Sequence, residues 1–91
     1  IPVRETLRKV EDGHSIVVDR EQHRLVQTPQ CFDIEVIKNA YKQFSGTTFT
    51  DDAGVFEAAG NTVHLIEGEH SNIKITFPAD LIFASAWLNA R

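Results

Sequence analysis

The stretch TVHLIEGEHSNIKITFPADLIFASAWLN, residues 62–89, carries the pattern that decides the predicted fold. Two short runs rich in β-branched residues, 62–66 and 73–76, are typical of strands, and a polar turn separates them. Pro78 then occupies the first turn of a helix predicted over residues 79–89. Strands that alternate with helices indicate an α/β sheet rather than a helical bundle.

Two more helices are predicted upstream of that stretch. Apolar residues recur at three- and four-residue spacing over residues 34–44, and Asp33 stands where its side chain can cap this helix. The second helix is predicted to start at Thr50 as N-cap, with two aspartates in its first turn, and to end at Gly60.

The first 28 residues have a different pattern, with many charges and few large apolar side chains. Strands are predicted over residues 2–10, 15–20 and 25–28, and Asp12-Gly13 is a turn pair favoured in hairpins. Because a two-stranded ribbon is marginally stable by itself, we expect it to lie against another surface, such as a partner subunit. The predicted order of elements is β-β-β-α-α-β-β-α.

Composition excludes several classes of protein. The 91 residues suit one small domain, and a formal net charge of −4 argues against a nucleic-acid-binding module. No apolar run approaches the roughly 20 residues of a membrane span. The single cysteine, Cys31, permits no internal disulfide and suggests a reducing, cytoplasmic setting. Because the first residue is Ile1 and not Met, we expect the chain to be part of a longer product.

Two cations stand out as candidate ligands for an anion. Arg20 ends one predicted strand and Lys74 lies inside another, and α/β sheets bind ligands beyond the carboxyl ends of their strands. Thr6, Thr28 and Thr50 could add hydroxyl donors beside these cations. The residues alone leave two interpretations open, a phosphate site or ordinary solvated side chains.

No metal site and no nucleotide-binding loop is predicted within the chain. The four histidines lack the i, i+4 spacing of a helical metal pair, and Asp51 and Asp52 are explained by the start of a helix. The five glycines are scattered singly, without a G-x-G-x-x-G or G-K-[ST] pattern. We therefore expect any nucleotide site to lie outside these residues.

Short motifs follow one another from end to end of the chain. They are PVRETL at residues 2–7, VDR at 18–20, TPQCF at 28–32, TDDA at 50–53, EG at 67–68 and NIKITFPADL at 72–81. Their order and spacing resemble the C-terminal part of the 2-C-methyl-D-erythritol 4-phosphate cytidylyltransferase family. Glu5 departs from this pattern, since the family more commonly has Asp at that position.

The resemblance implies a fold and a reaction. The fold would be the C-terminal part of a Rossmann-like nucleotidyltransferase with an extended β-arm. The family joins CTP to 2-C-methyl-D-erythritol 4-phosphate with Mg²⁺, releasing pyrophosphate and 4-diphosphocytidyl-2-C-methyl-D-erythritol, in non-mevalonate isoprenoid biosynthesis. By motif position, Arg20 and Lys74 hold and aim the substrate phosphate, while Thr6, Thr28 and Thr50 contact substrate.

The resemblance also implies an assembly and a missing part. The family is homodimeric, so residues 1–22 would form an arm that carries Thr6 and Arg20 to the partner's active site. Residues 23–91 would form the substrate-side α/β part, in which Lys74 serves its own site. The Gly-rich loop and the acidic Mg²⁺ ligand would lie upstream of Ile1. These 91 residues alone are therefore expected to be inactive.

Two alternatives stay open. A ribitol 5-phosphate cytidylyltransferase shares TPQ- and NIK-type motifs, although the motif at residues 2–7 with Arg4, followed by Arg8 and Lys9, favours the methylerythritol family. A non-catalytic dimerisation module that has kept only this half is the other alternative.

Overall fold

The computed structural model describes all 91 residues, Ile1–Arg91, which group into two compact units. The first unit contains Ile1–Thr28 and Glu67–Arg91, and the second contains Pro29–Ile66. One two-stranded sheet and three α-helices are present, so the coarse α/β class is confirmed. The elements are β1 (Leu7–Glu11), β2 (His14–Val18), α1 (Ile34–Gln43), α2 (Asp52–Ala58) and α3 (Pro78–Ala90).

The sheet is a tight antiparallel hairpin. β1 and β2 pair from Leu7 opposite Val18 to Glu11 opposite His14, which leaves a two-residue turn. Asp12 and Gly13 both have positive φ, at 50° and 77°, as a type I′ turn requires. This turn type matches the right-handed twist of the strands, so the predicted Asp-Gly hairpin is confirmed.

The hairpin is closed at its base by the start of the chain. The main-chain N–H of Leu25 donates to the carbonyl of Ile1 at 2.9 Å, and the nitrogen of Ile1 donates to the carbonyl of Leu25 at 2.9 Å. Pro2 and Arg24 form an isolated antiparallel bridge beside these bonds. These contacts therefore hold the two ends of the hairpin segment together within the first unit.

α3 begins at a well-made cap but buries no face in this chain. The Asp80 carboxylate accepts from the N–H groups of Phe77 at 2.8 Å and Thr76 at 2.9 Å, and Pro78 occupies the first turn. Its large apolar side chains are more than half exposed, and Ile82 is 69% exposed. None of the helices combines the length and apolar character that a membrane span requires.

The second unit is a pair of short helices. Asp33 caps α1 by accepting from the N–H groups of Glu35 at 3.0 Å and Val36 at 3.1 Å, as predicted. Ala40 of α1 and Val55 of α2 are 1% and 2% exposed and are the only buried residues of the chain. With so little buried surface, packing within the 91 residues supplies only a small hydrophobic core.

Three predicted strands are absent from the structure. The segments 25–28, 62–66 and 73–76 are not strands, and the only β-bridge outside the hairpin joins Pro2 to Arg24. A strand needs a neighbour with which to exchange a run of main-chain hydrogen bonds. The segments 62–66 and 73–76 have no such neighbour among the described residues, and 25–28 has only the pair of bonds between Leu25 and Ile1. The predicted order of eight elements is therefore wrong in these three places.

The predicted cap of the second helix is also wrong by one residue. Asp51, and not Thr50, is the N-cap of α2, and its carboxylate accepts from the N–H of Gly54 at 2.9 Å. A carboxylate at this position satisfies a free N–H and also stabilises the helix dipole. The helix then runs from Asp52 to Ala58.

Candidate functional site

Four of the five predicted site residues lie in the first unit. Thr6, Arg20, Thr28 and Lys74 belong to it, whereas Thr50 belongs to the second unit. No hydrogen bond joins any of these side chains directly to another. The structure instead brings the segments that carry them together, in two separate places of the first unit.

The first place joins Arg20 to the segment that carries Thr6. β2 ends at Val18, and Asp19 then caps a short 3₁₀ turn by accepting from the N–H of Glu21 at 3.0 Å. This turn directs the Arg20 guanidinium back across the hairpin, where Nη1 donates to the carbonyl oxygen of Arg4. A guanidinium has five N–H donors, so most of those of Arg20 remain for another acceptor.

The second place joins Thr28 to the segment that carries Lys74. The side-chain amide of Asn72 donates to the carbonyl oxygen of Thr28 at 2.8 Å. Lys74 follows two residues later, and its exposed ammonium has neither a hydrogen bond nor an ion pair. A hydroxyl-bearing residue and an unpaired cation are therefore held on segments that contact each other.

Thr50 lies next to a small polar cluster at the start of α2. Gln30 donates from Nε2 to Oδ2 of Asp51 at 3.0 Å, and its Oε1 accepts from the N–H of Ala53 at 3.1 Å. Gln30 is half-buried, so both partners are partly shielded from water. The predicted role of Asp51 and Asp52 as a helix start is confirmed.

Three side-chain amides, those of Gln27, Gln30 and Asn72, make hydrogen bonds between segments of the chain without having been predicted to do so. Gln30 belongs to the TPQ motif and Asn72 to the NIK motif, and this position in a motif is the sequence feature that could have indicated a role for them. Gln27 precedes Thr28 without belonging to a motif, so nothing local marked it.

Two ionisable groups have shifted pKa values, and neither is a predicted site residue. A hydrogen bond to Asp52 raises the pKa of Tyr41, and the nearby negative charges act in the same direction. Hydrogen bonds from the N–H groups of Phe77 and Thr76 lower the pKa of Asp80. Both pKa shifts are therefore explained by hydrogen bonds that residues of the helices make.

The described residues offer no ready-made metal site. No group of three or more His, Cys, Asp or Glu side chains is arranged to hold an ion. A surface depression of about 490 Å³ runs along α1, lined in part by Asn39, Lys42 and Asn61, and none of the predicted site residues lines it.

Comparison with known proteins places the chain in a consistent group. The family model described as 2-C-methyl-D-erythritol 4-phosphate cytidylyltransferase matches residues 1–90. The chain is 52% identical over 88 residues to the protein of that name from Bacteroides thetaiotaomicron, with 97% of the chain and 40% of the relative covered. It is 40% identical over 93 residues to that from Bacillus licheniformis, with 99% of the chain and 40% of the relative covered.

A solved structure is similar over nearly the whole chain. The crystal structure of 2-C-methyl-D-erythritol 4-phosphate cytidylyltransferase from Thermus thermophilus matches with a TM-score of 0.82 and 41% identity. The match covers 98% of this chain and 46% of that one. The chain thus spans less than half the length of the relatives it matches.

Proposed function

The chain belongs to the 2-C-methyl-D-erythritol 4-phosphate cytidylyltransferase family, and on that premise we propose that the whole protein joins CTP to 2-C-methyl-D-erythritol 4-phosphate. The products are 4-diphosphocytidyl-2-C-methyl-D-erythritol and pyrophosphate, in non-mevalonate isoprenoid biosynthesis. The observation that carries the proposal is the family match over residues 1–90. Activity, substrates and partners are proposed for the longer protein, because the chain covers 40% of its first relatives.

The proposed reaction is an in-line displacement at phosphorus. A phosphate oxygen of the sugar phosphate attacks the α-phosphorus of CTP, and the bond from that phosphorus to the bridging oxygen of pyrophosphate breaks. Little covalent chemistry is required of the protein in such a transfer. Its contribution is to align the reactants and to neutralise phosphate charge.

We assign the substrate phosphate to Arg20 and Lys74. Arg20 keeps donors free beyond its bond to the Arg4 carbonyl, and its planar fork fits phosphate oxygens. The unpaired ammonium of Lys74 supplies a point charge. Thr6, Thr28 and Thr50 are the proposed hydroxyl contacts to substrate.

We propose a homodimer in which residues 1–22 form an arm that reaches the partner subunit. The apolar side chains of the hairpin support this, because Val10 is 76% exposed and Ile16 and Val17 are each 61% exposed. Exposed apolar groups on a two-stranded ribbon gain stability when a second surface covers them. In this arrangement Thr6 and Arg20 serve the partner's site and Lys74 serves its own.

The remaining parts of the enzyme are proposed to lie outside the 91 residues. A Gly-rich loop there would bind CTP, and an acidic side chain there would hold Mg²⁺. The segments 62–66 and 73–76 would pair with strands of a Rossmann-like sheet, which α3 would help to cover. Residues 1–91 alone would neither bind CTP nor catalyse the reaction. A cytoplasmic location fits this chemistry.

A substrate comparison with the full-length protein tests the proposal. Pyrophosphate release is measured with CTP, Mg²⁺ and either 2-C-methyl-D-erythritol 4-phosphate or ribitol 5-phosphate. We expect kcat/KM for the methylerythritol substrate to be higher by about tenfold or more. Higher activity with ribitol 5-phosphate overturns the substrate assignment, and no release with either substrate favours a non-catalytic dimerisation module.

A further inference from the structure

Two side-chain amides bind the loop at residues 67–72 to the segment that ends in Thr28. Gln27 donates from Nε2 to the carbonyl oxygens of Glu69 at 2.6 Å and Asn72 at 3.0 Å. Asn72 donates in the opposite direction, from Nδ2 to the carbonyl oxygen of Thr28 at 2.8 Å. We call this reciprocal pair, Gln27 and Asn72, the amide latch.

The latch is the only hydrogen-bonded connection between the two sequence segments of the first unit. No other hydrogen bond joins Ile1–Thr28 to Glu67–Arg91. Sheet pairing does not connect these two sequence segments either, since residues 25–28 and 73–76 are not strands in this structure. Among the contacts that these 91 residues make with one another, the two amides are therefore what sets the relative placement of Thr28 and Lys74.

The loop has a backbone shaped to receive the latch. A Cβ on Gly68 would collide with the amide oxygen of Gln27 and would lie 3.3 Å from a methyl carbon of Ile1. Glycine at this position thus allows the Gln27 side chain to cross the loop closely. The loop is further closed by the N–H of Asn72, which donates to the carbonyl of Glu69 at 3.1 Å.

We propose that Gln27 and Asn72 are positioning residues for the substrate-phosphate site. Asn72 lies two residues before Lys74, and its hydrogen bond holds the main chain of Thr28. In this arrangement the threonine hydroxyl and the ammonium of Lys74 meet the same phosphate group. This inference rests on the proposed function, which supplies the phosphate. A displacement of about 1 Å in such an arrangement can reduce the rate about 100-fold, although neither amide touches substrate.

Asn72→Asp in the full-length protein tests the latch with almost no change of shape. The substitution replaces a donor with an acceptor that faces the Thr28 carbonyl oxygen. We expect kcat/KM for the sugar phosphate to fall about tenfold or more while KM for CTP changes less than about twofold. Asn61→Asp is the matched control, because Asn61 also donates to a main-chain carbonyl, that of Phe56 at 3.2 Å, and both residues belong to the second unit.

Epistasis with Lys74 separates positioning from a general loss of stability. In a Lys74→Met background, Asn72→Asp should reduce kcat/KM much less than it does in the wild-type background, because its effect passes in part through the ammonium. Equal reductions in both backgrounds, or equal reductions for Asn72→Asp and Asn61→Asp, overturn the positioning role.

Amide hydrogen exchange gives a measurement that does not depend on activity. Exchange at the N–H groups of Asn72 and Ile73 should accelerate about tenfold or more in Gln27→Glu and Asn72→Asp, since loss of the latch loosens the loop. Unchanged exchange overturns the latch itself. If the wild-type protein is active and Asn72→Asp has the same kcat/KM, only the positioning role is contradicted. If the wild-type protein releases no pyrophosphate, the proposed function is contradicted instead.

Discussion

The Arg20 side chain donates a hydrogen bond to the main-chain carbonyl of Arg4, 16 residues earlier in the sequence. The register of the hairpin explains this contact, because Leu7 pairs with Val18 and so the residues before β1 lie beside those after β2. The bond links the VDR and PVRETL motifs and holds the main chain two residues before Thr6. Arg20 thus has a structural partner as well as free donors.

Removal of the Arg20 guanidinium should weaken use of the sugar phosphate and leave CTP binding intact. In the full-length protein we expect Arg20→Ala to reduce kcat/KM for the sugar phosphate about 100-fold or more, and Arg20→Lys to restore only part of it, because lysine lacks the fork. Steady-state kinetics with each substrate varied in turn measures this. Arg24→Ala is the control, since Arg24 donates to the carbonyls of Glu21 and His23 at 2.7 Å each in the same segment. Wild-type kinetics in Arg20→Ala would refute the assignment.

Subunit complementation tests whether Arg20 and Lys74 serve one active site from two chains. Arg20→Ala and Lys74→Ala should each be inactive as homodimers. When the two variants are co-expressed, random pairing gives about half heterodimers with one intact site each, so about a quarter of wild-type activity should return. If both residues came from the same chain, every heterodimer site would lack one of them and no activity would return. That result would exclude the proposed arm.

Local features of the fold were predictable from the sequence because neighbouring residues decide them. Asp12-Gly13 favours one turn type, and Asp33 stands immediately before a helical period. The predicted strands at 62–66 and 73–76 failed for a different reason. Their β-branched pattern indicates a buried sheet, but a pattern does not say whether the neighbouring strand belongs to the same 91 residues.

The candidate site was predictable only in part, for a similar reason. Arg20 and Lys74 are predicted as site residues from their place in predicted strands and from motif position, whereas the amide latch joins residues 42–45 positions apart in the sequence. A hydrogen bond between two loops produces no periodic sequence pattern from which it could be predicted. The N-cap of α2 was missed by one residue, because Thr50 and Asp51 are both good caps and only geometry distinguishes them.

Gln30 should contribute measurably to the stability of the second unit. Gln30→Met keeps the approximate size of the side chain but leaves Asp51 and the N–H of Ala53 without these partners. Because the cluster is only half-buried, we expect the free energy of unfolding to fall by about 1–2 kcal/mol. Urea denaturation of the full-length protein measures this loss. Gln43→Met, at the exposed end of α1, is the control and should change stability little; equal losses in both variants would contradict a specific role for Gln30.

The Asp80 cap should make the stability of α3 depend on pH in one direction. Hydrogen bonds from Phe77 and Thr76 lower its pKa in the folded protein below the ordinary value of 3.8. The folded state therefore favours the charged carboxylate. This stabilisation is complete well above pH 3.8, declines as the pH approaches that value and is lost as the pH falls through the lower, folded-state pKa. Asp80→Asn should be less stable than the wild type near neutral pH, and the difference should shrink in acid.

Urea unfolding of both full-length proteins across a pH series checks this. The difference between their free energies of unfolding should be constant above about pH 5 and should decrease below it, because only the wild type has a carboxylate to protonate at this position. Glu57→Gln is the matched control, because it removes an exposed carboxylate of α2 that caps no helix. If the Asp80→Asn difference stayed constant down to about pH 2, its cause would be packing or propensity, and not a charged cap.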